Sequence, residues 1–138
     1  MTTLIQQRSG NDCVLAAIAM AAGKERWSDL WTEDDLAKCI KDGGIREESV
    51  YLTRAGFAKE DWLLIHTSYT NSHMVQNLLW RRRALLSVAS LNNRGGSHMV
   101  YWDGERIWDP HEGHWDQGFQ YFKHITTLLI SEVILFAT

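Results

Sequence analysis

Gln7-Arg-Ser-Gly-Asn-Asp-Cys13-Val-Leu-Ala-Ala-Ile-Ala-Met-Ala-Ala-Gly23 is the stretch on which the reading of the whole chain turns. Asn11 and Asp12 are good helix N-caps, the residues from Val14 to Ala22 are all apolar or small, and Gly23 is a natural C-terminal stop. Cys13 is therefore the first or second residue of a helix. There the free backbone N–H groups and the positive end of the helix dipole favour a thiolate, the nucleophilic form of cysteine. A helix that is apolar on every side belongs in a core. The pattern thus predicts a buried helix presenting one sulfur at its rim.

Working outward, 138 residues with 45% hydrophobic and 22% charged content fit one globular domain spanning 1–138, large enough to bury a full core. The net charge of −3 and a pI near 6 give no electrostatic footprint for nucleic acid. The one basic run, Arg81-Arg82-Arg83, could grip a phosphate or an acidic partner, but it reads better as a solvated helix end complementing the dipole. Met1 to Gln7 lacks the charged and apolar regions of a secretory signal, and no run is long enough to span a bilayer. A cytoplasmic chain with no membrane partner is the expectation, and Cys13 and Cys39 are then both free thiols. Seven tryptophans are expected mostly in the core or in the wall of a cleft.

Thr32-Glu-Asp-Asp35 is a capping-box-like start to a helix of about eight residues ending near Ile40. Cys39 sits inside it and reads as an inert packing residue. Arg46 to Ala55 predicts a further short helix closed by Gly56, and Asn71 caps another that runs through Trp80. Strands are predicted at Trp62–His66, Ala84–Leu91, His98–Trp102 and Ile130–Phe136, with a loop at Asn92–Gly96. This is an α+β pattern, with helices covering an antiparallel sheet.

Asp103-Gly104 is a strong two-residue hairpin signal. With those two residues as the turn, Trp102 faces Glu105, Met99 faces Trp108, and His98 faces Asp109. Opposed residues share a sheet face with Cβ atoms about 4.5 to 5.5 Å apart, close enough for an imidazole to bond a carboxylate. A carboxylate on one ring nitrogen fixes the tautomer and leaves the other nitrogen free to act on a thiol. Singly, a core cysteine, a strand-end histidine and an aspartate near a turn are commonplace. In the order Cys13, His98, Asp109 they predict a catalytic set.

On these residues the chain resembles the papain-like cysteine peptidases, in particular the double-glycine (bacteriocin) leader peptidases and their stand-alone relatives. Those families place a glutamine six residues before the nucleophilic cysteine, matched by Gln7 and Cys13, and the leader peptidases commonly have Asp-Cys, matched by Asp12-Cys13. A helix of small residues follows. Their general-base histidine opens a strand and precedes an Asp-Pro, as His98 precedes Asp109-Pro110. The resemblance covers the first two dozen residues and Ala84 to about Gly113. Val14 stands where the leader peptidases usually have glycine, the Cys-Gly-Ser-Cys-Trp signature of the lysosomal enzymes is missing, and there is no transporter segment.

The resemblance implies a papain-like fold with an N-terminal active-site helix packed on an antiparallel sheet. It implies a cysteine-dependent hydrolase that cleaves an amide bond of a peptide or protein substrate through a thioester, with no cofactor. Gln7 would supply the side-chain amide of an oxyanion hole alongside the Cys13 backbone N–H. Competing readings are an NlpC-type peptidoglycan amide hydrolase, against which Val14-Leu15 and Gln7 argue, and a non-catalytic papain-like module that binds proteins. A metal site from Asp109, His111, His114 and Asp116 lacks rigid ligand spacing, so no metal is expected.

Overall fold

The computed structural model describes residues 2–42, 48–70, 77–89, 97–111 and 129–137. Among them are the helices α1 (Cys13–Ala21), α2 (Glu33–Lys41) and α3 (Glu48–Arg54), with short 3-10 turns at Trp27–Asp29 and Lys59–Asp61. The strands are β1 (Trp62–Thr70), β2 (Ala84–Ala89), β3 (Ser97–Trp102), β4 (Ile107–Trp108) and β5 (Ile130–Phe136). They form one sheet in the order β1-β5-β2-β3-β4, each strand antiparallel to its neighbours. The expected α+β class, with helices on an antiparallel sheet, is what is found. Among the described residues no helix is long and apolar enough to cross a membrane.

Helix α1 is the centre of the packing. Every residue from Val14 to Ala21 is buried, as an all-apolar helix requires. It ends where Gly23 takes φ +74°, a left-handed backbone that lets Gly23 N–H bond Met20 O at 3.1 Å and Lys24 N–H bond Ala19 O at 3.0 Å. The arginine run departs from its expected role here. Arg81 and Arg82 are exposed, but Arg83 turns inward to a different helix, donating through Nη2 to Ala21 O at the end of α1 and through Nε to the Tyr101 hydroxyl at 2.8 Å. Its charge faces the negative pole of α1.

The sheet separates two apolar clusters by simple alternation. Leu85, Met99, Tyr101, Ile134 and Phe136 pack in the cluster that contains α1. Leu86, Val88, Val100, Trp102, Val133 and Leu135 form the second cluster with Leu79 and Ile107. Strand β2, held between β5 and β3, is covered on both faces, which is why its sequence runs apolar almost without a break. Helix α1 packs chiefly on β3. Cys13 lies beside His98 at one end of that contact, and Ala21 lies near Arg83 and Tyr101 at the other, so α1 and β3 run in the same direction.

The capping box of α2 forms as read. Thr32 N–H bonds the Asp35 carboxylate at 2.8 Å, and Asp35 N–H bonds Thr32 Oγ1 at 3.3 Å. Burial would raise the Asp35 carboxyl, but the guanidinium of Arg54 on α3 and the Thr32 donors outweigh it and hold it below its ordinary value. On the inner side of α2, Cys39 is fully buried and donates to Asn11 O at 3.4 Å, bracing the segment that leads into α1.

The hairpin register is corrected. Tyr101 pairs with Trp108 and Trp102 with Ile107, so the loop holds the four residues Asp103 to Arg106 rather than two. The Asp103 carboxylate causes this: one oxygen accepts from Glu105 N–H and Arg106 N–H, each at 2.8 Å, and the other from Trp108 Nε1 at 2.8 Å. Gly104, at φ +105°, lets its carbonyl accept from Arg81 N–H at 3.1 Å. The slip is two residues. Side chains alternate with period two, so the predicted face of each residue survives the change in partner.

Among the described residues Trp27, Trp31 and Trp102 are buried, whereas Trp80 is 61% exposed. Strand β2 runs through Ala89, and the rest of its predicted span to Leu91, with the predicted Asn92–Gly96 loop, lies outside the described residues. So do Arg46 and Asn71, although residues 77–79 are helical.

Replacing Arg83 by Met keeps an unbranched side chain but removes the guanidinium from the α1 terminus. Loss of charged hydrogen bonds of this kind costs about 1 to 3 kcal/mol, so the urea midpoint of Arg83→Met should fall with its m-value unchanged. An unaltered midpoint would show that the guanidinium does not hold the helix end.

Candidate active site

Three chain segments converge on one spot: the turn from Gln7 to Asp12 with the first turn of α1, the entry of β3, and the residues just after β4. Cys13 opens α1 and is half-buried. His98, the second residue of β3, is 7% exposed, and Asp109 is fully buried. His98 Nε2 lies 2.7 Å from Asp109 Oδ1. The carboxylate that sequence reading paired with His98 is thus its partner, reached across the longer loop. Asp109 Oδ1 also accepts from His111 N–H at 2.9 Å, so the chain after Pro110 closes around it.

The electrostatics of His98 follow from these neighbours. Burial alone would push the imidazole down, since a charged ring is poorly solvated there. Hydrogen bonds to Asp109 and to Cys13, with the charges of both, outweigh that effect and raise His98 to about 9. At neutral pH the ring is then an imidazolium. Nε2 is committed to Asp109.

Cys39 is the opposite case. Burial pushes its thiol up to about 11, with the charges of Asp12, Cys13 and Asp42 adding to the effect. It is free, as is Cys13, and it serves packing.

Asp12 occupies the N-cap position but does not cap, because its side chain makes no bond to the first turn of α1. It is fully buried and bends back instead. Oδ1 accepts from Ser9 N–H at 2.6 Å and Ser9 Oγ at 2.9 Å, and Oδ2 accepts from Arg8 N–H at 3.0 Å and Trp27 Nε1 at 3.2 Å. Gln7 is buried in this turn. Its Nε2 donates to Ser9 O at 2.6 Å, its backbone N–H donates to Pro110 O at 2.7 Å, and its Oε1 is buried without a partner among the described residues. The bond to Pro110 ties the cysteine-bearing segment to the segment that carries Asp109.

The structure therefore brings Cys13, His98 and Asp109 together, with Gln7 fastened to the chain next to Asp109. Sequence reading gave no role to Ser9, Trp27 or the folded-back carboxylate of Asp12. The signal was thin, since Asp before a helix reads as a cap whichever way it turns. Of the four residues weighed for a metal, His114 and Asp116 lie outside the described residues. Among the described residues no group of three or more histidine, cysteine or acidic side chains could hold an ion. Comparison with models of known protein families and with curated proteins finds no match for the chain.

Limited iodoacetamide at neutral pH should alkylate Cys13 well before Cys39, as read by peptide mass spectrometry. Cys13 is partly accessible and faces an imidazolium, whereas Cys39 is sealed and needs a pH near 11 to ionise. Equal labelling, or faster labelling of Cys39 in the folded protein, would contradict this site.

Proposed function

We propose that the chain is a papain-like cysteine hydrolase that cleaves a peptide or related amide bond. The observation that carries this reading is the buried His98–Asp109 bond of 2.7 Å, on an imidazole near enough to the helix-start Cys13 for the sulfur to help raise its proton affinity. The order of the three residues in the chain, and a helix that leads with the nucleophile onto an antiparallel sheet, agree with the family resemblance of the sequence.

Each step has a residue suited to it. Cys13 Sγ, as thiolate, attacks the carbonyl carbon, and the carbonyl π electrons move onto oxygen. The Gln7 side-chain amide and the Cys13 backbone N–H are the donors suited to that oxyanion, and losing one such donor typically costs ~10²- to 10³-fold in rate. As the tetrahedral species collapses, the C–N bond breaks and His98 gives its Nδ1 proton to the departing amine, leaving a thioester. The neutral imidazole then takes a proton from water, whose oxygen attacks the thioester. The C–S bond breaks, the acid leaves, and thiolate and imidazolium are restored.

Asp109 keeps Nε2 protonated and faces the positive ring, so that Nδ1 is the nitrogen that cycles. Its complete burial concentrates that effect, because little solvent screens the pair.

Incubation with a complex peptide library, with new termini read by mass spectrometry, tests the proposal. Cys13→Ala should abolish cleavage while circular dichroism stays native, since it opens no large cavity, and His98→Ala should abolish it with a loss of stability, since the buried Asp109 carboxylate then loses its imidazole. Asp109→Asn should retain the fold and lose at least about tenfold in rate, because an amide orients the ring without balancing its charge. Undiminished cleavage by Cys13→Ala would remove thiol chemistry from the account.

A further inference from the structure

Asp12 sits next to the proposed nucleophile, fully buried, with a carboxylate that reaches neither the thiol's helix nor solvent. A buried carboxylate is costly unless donors surround it. Here Ser9 N–H, Ser9 Oγ, Arg8 N–H and Trp27 Nε1 do so. Three of these donors belong to the two residues after Gln7. The same Ser9 that Asp12 grips through N–H and hydroxyl offers its carbonyl to Gln7 Nε2 at 2.6 Å. The line from Asp12 to Ser9 to the Gln7 amide is therefore continuous.

Its second consequence lies at the helix. An aspartate at an N-cap ordinarily accepts from the second or third backbone N–H of its helix and neutralises the positive end. Asp12 makes no such bond, so the second and third amides of α1 are not taken up by its side chain, and its charge is not set against the helix start beside the Cys13 N–H. The fold thus keeps a negative group within one residue of the nucleophile while directing it away from the amides.

We propose that Asp12 is a positioning residue for the oxyanion site: through Ser9 it holds the Gln7 side-chain amide in place, and by folding back it leaves the amides at the start of α1 to the developing negative charge. This role rests on the thiol-hydrolase reading of Cys13. It does not require Asp12 to touch substrate. Trp27 acts with it as the fixed donor from outside the turn, with the Arg8 guanidinium stacked 4.8 Å from the centre of its ring.

Two reactions of one sulfur separate this role from a general structural one. Iodoacetamide is attacked at a saturated carbon, with the S–C bond forming as iodide leaves, and no oxyanion arises. With p-nitrophenyl acetate the thiolate attacks a carbonyl; the S–C bond forms, the C–O bond breaks, p-nitrophenolate leaves, and the path passes through an oxyanion. The two second-order rates at Cys13 are to be measured in the full chain for wild type and Asp12→Asn, whose amide must present N–H groups to existing donors.

Acylation should fall about tenfold or more, while alkylation stays within about twofold, so the ratio of the two rates changes. Parallel losses in both reactions, or an unchanged ratio, overturn the positioning role. Ser9→Ala and Trp27→Phe, which each remove one donor and leave the carboxylate, should shift the ratio in the same direction by about two- to fivefold; an unshifted ratio in both overturns the role even where Asp12→Asn fails to fold. If wild type alkylates selectively at Cys13 but releases no p-nitrophenolate, the hydrolase reading itself falls, and that result is visible without any variant.

Discussion

The bond between His98 Nε2 and Asp109 is the constraint around which this molecule is arranged. Both groups are out of water, so each would be unfavourable alone: a buried carboxylate lacks solvation, and a buried imidazole tends to lose its proton. Together, with Cys13 nearby, they favour the charged imidazole instead. The four-residue loop after β3, the two-residue strand β4 and the turn at Pro110 bring Asp109 to that position. The sheet order, with β3 between β2 and β4, then places His98 beside the start of α1.

Around that bond an amino-terminal part and the sheet meet over one shared apolar cluster. The amino-terminal part supplies the turn at Asp12, the helix α1 and the bracing contact from Cys39 to Asn11. The sheet supplies His98 and Asp109. One direct backbone link between the two parts is Gln7 N–H to Pro110 O, at 2.7 Å, one residue from Asp109 and in the turn that Asp12 organises. At the other end of α1 the Arg83 guanidinium performs the corresponding task, holding the helix terminus to Tyr101 on β3. The helix is thereby fastened to the sheet at both ends, a rigid setting for a nucleophile whose distance from its base matters.

How much of this was legible in the sequence differs from residue to residue. Helix α1 was legible because an apolar run bounded by Asp12 and Gly23 has one low-energy outcome, and the reciprocal Thr32–Asp35 cap was legible because its geometry is local. The hairpin was half legible. Asp103-Gly104 marks the turn, but the Asp103 carboxylate binds two backbone N–H groups beyond it and lengthens the loop, a competition that a dipeptide rule does not contain. The pairing of His98 with Asp109 survived because the slip was even. Asp12 and Arg83 were misread for the same reason: each has the right chemistry for a local helix end, and tertiary partners claimed it for something else.

The central claim is that Cys13, His98 and Asp109 form one charge-coupled unit, and titration of the His98 ring by NMR tests it most directly. In wild type the midpoint should lie near 9, far above the ordinary 6.5 of histidine, because the folded site holds the ring's proton. Removing the carboxylate in Asp109→Asn should lower it, since burial then acts against less opposition. A wild-type midpoint at or below 6.5, or one that does not move when Asp109 is neutralised, would contradict the account.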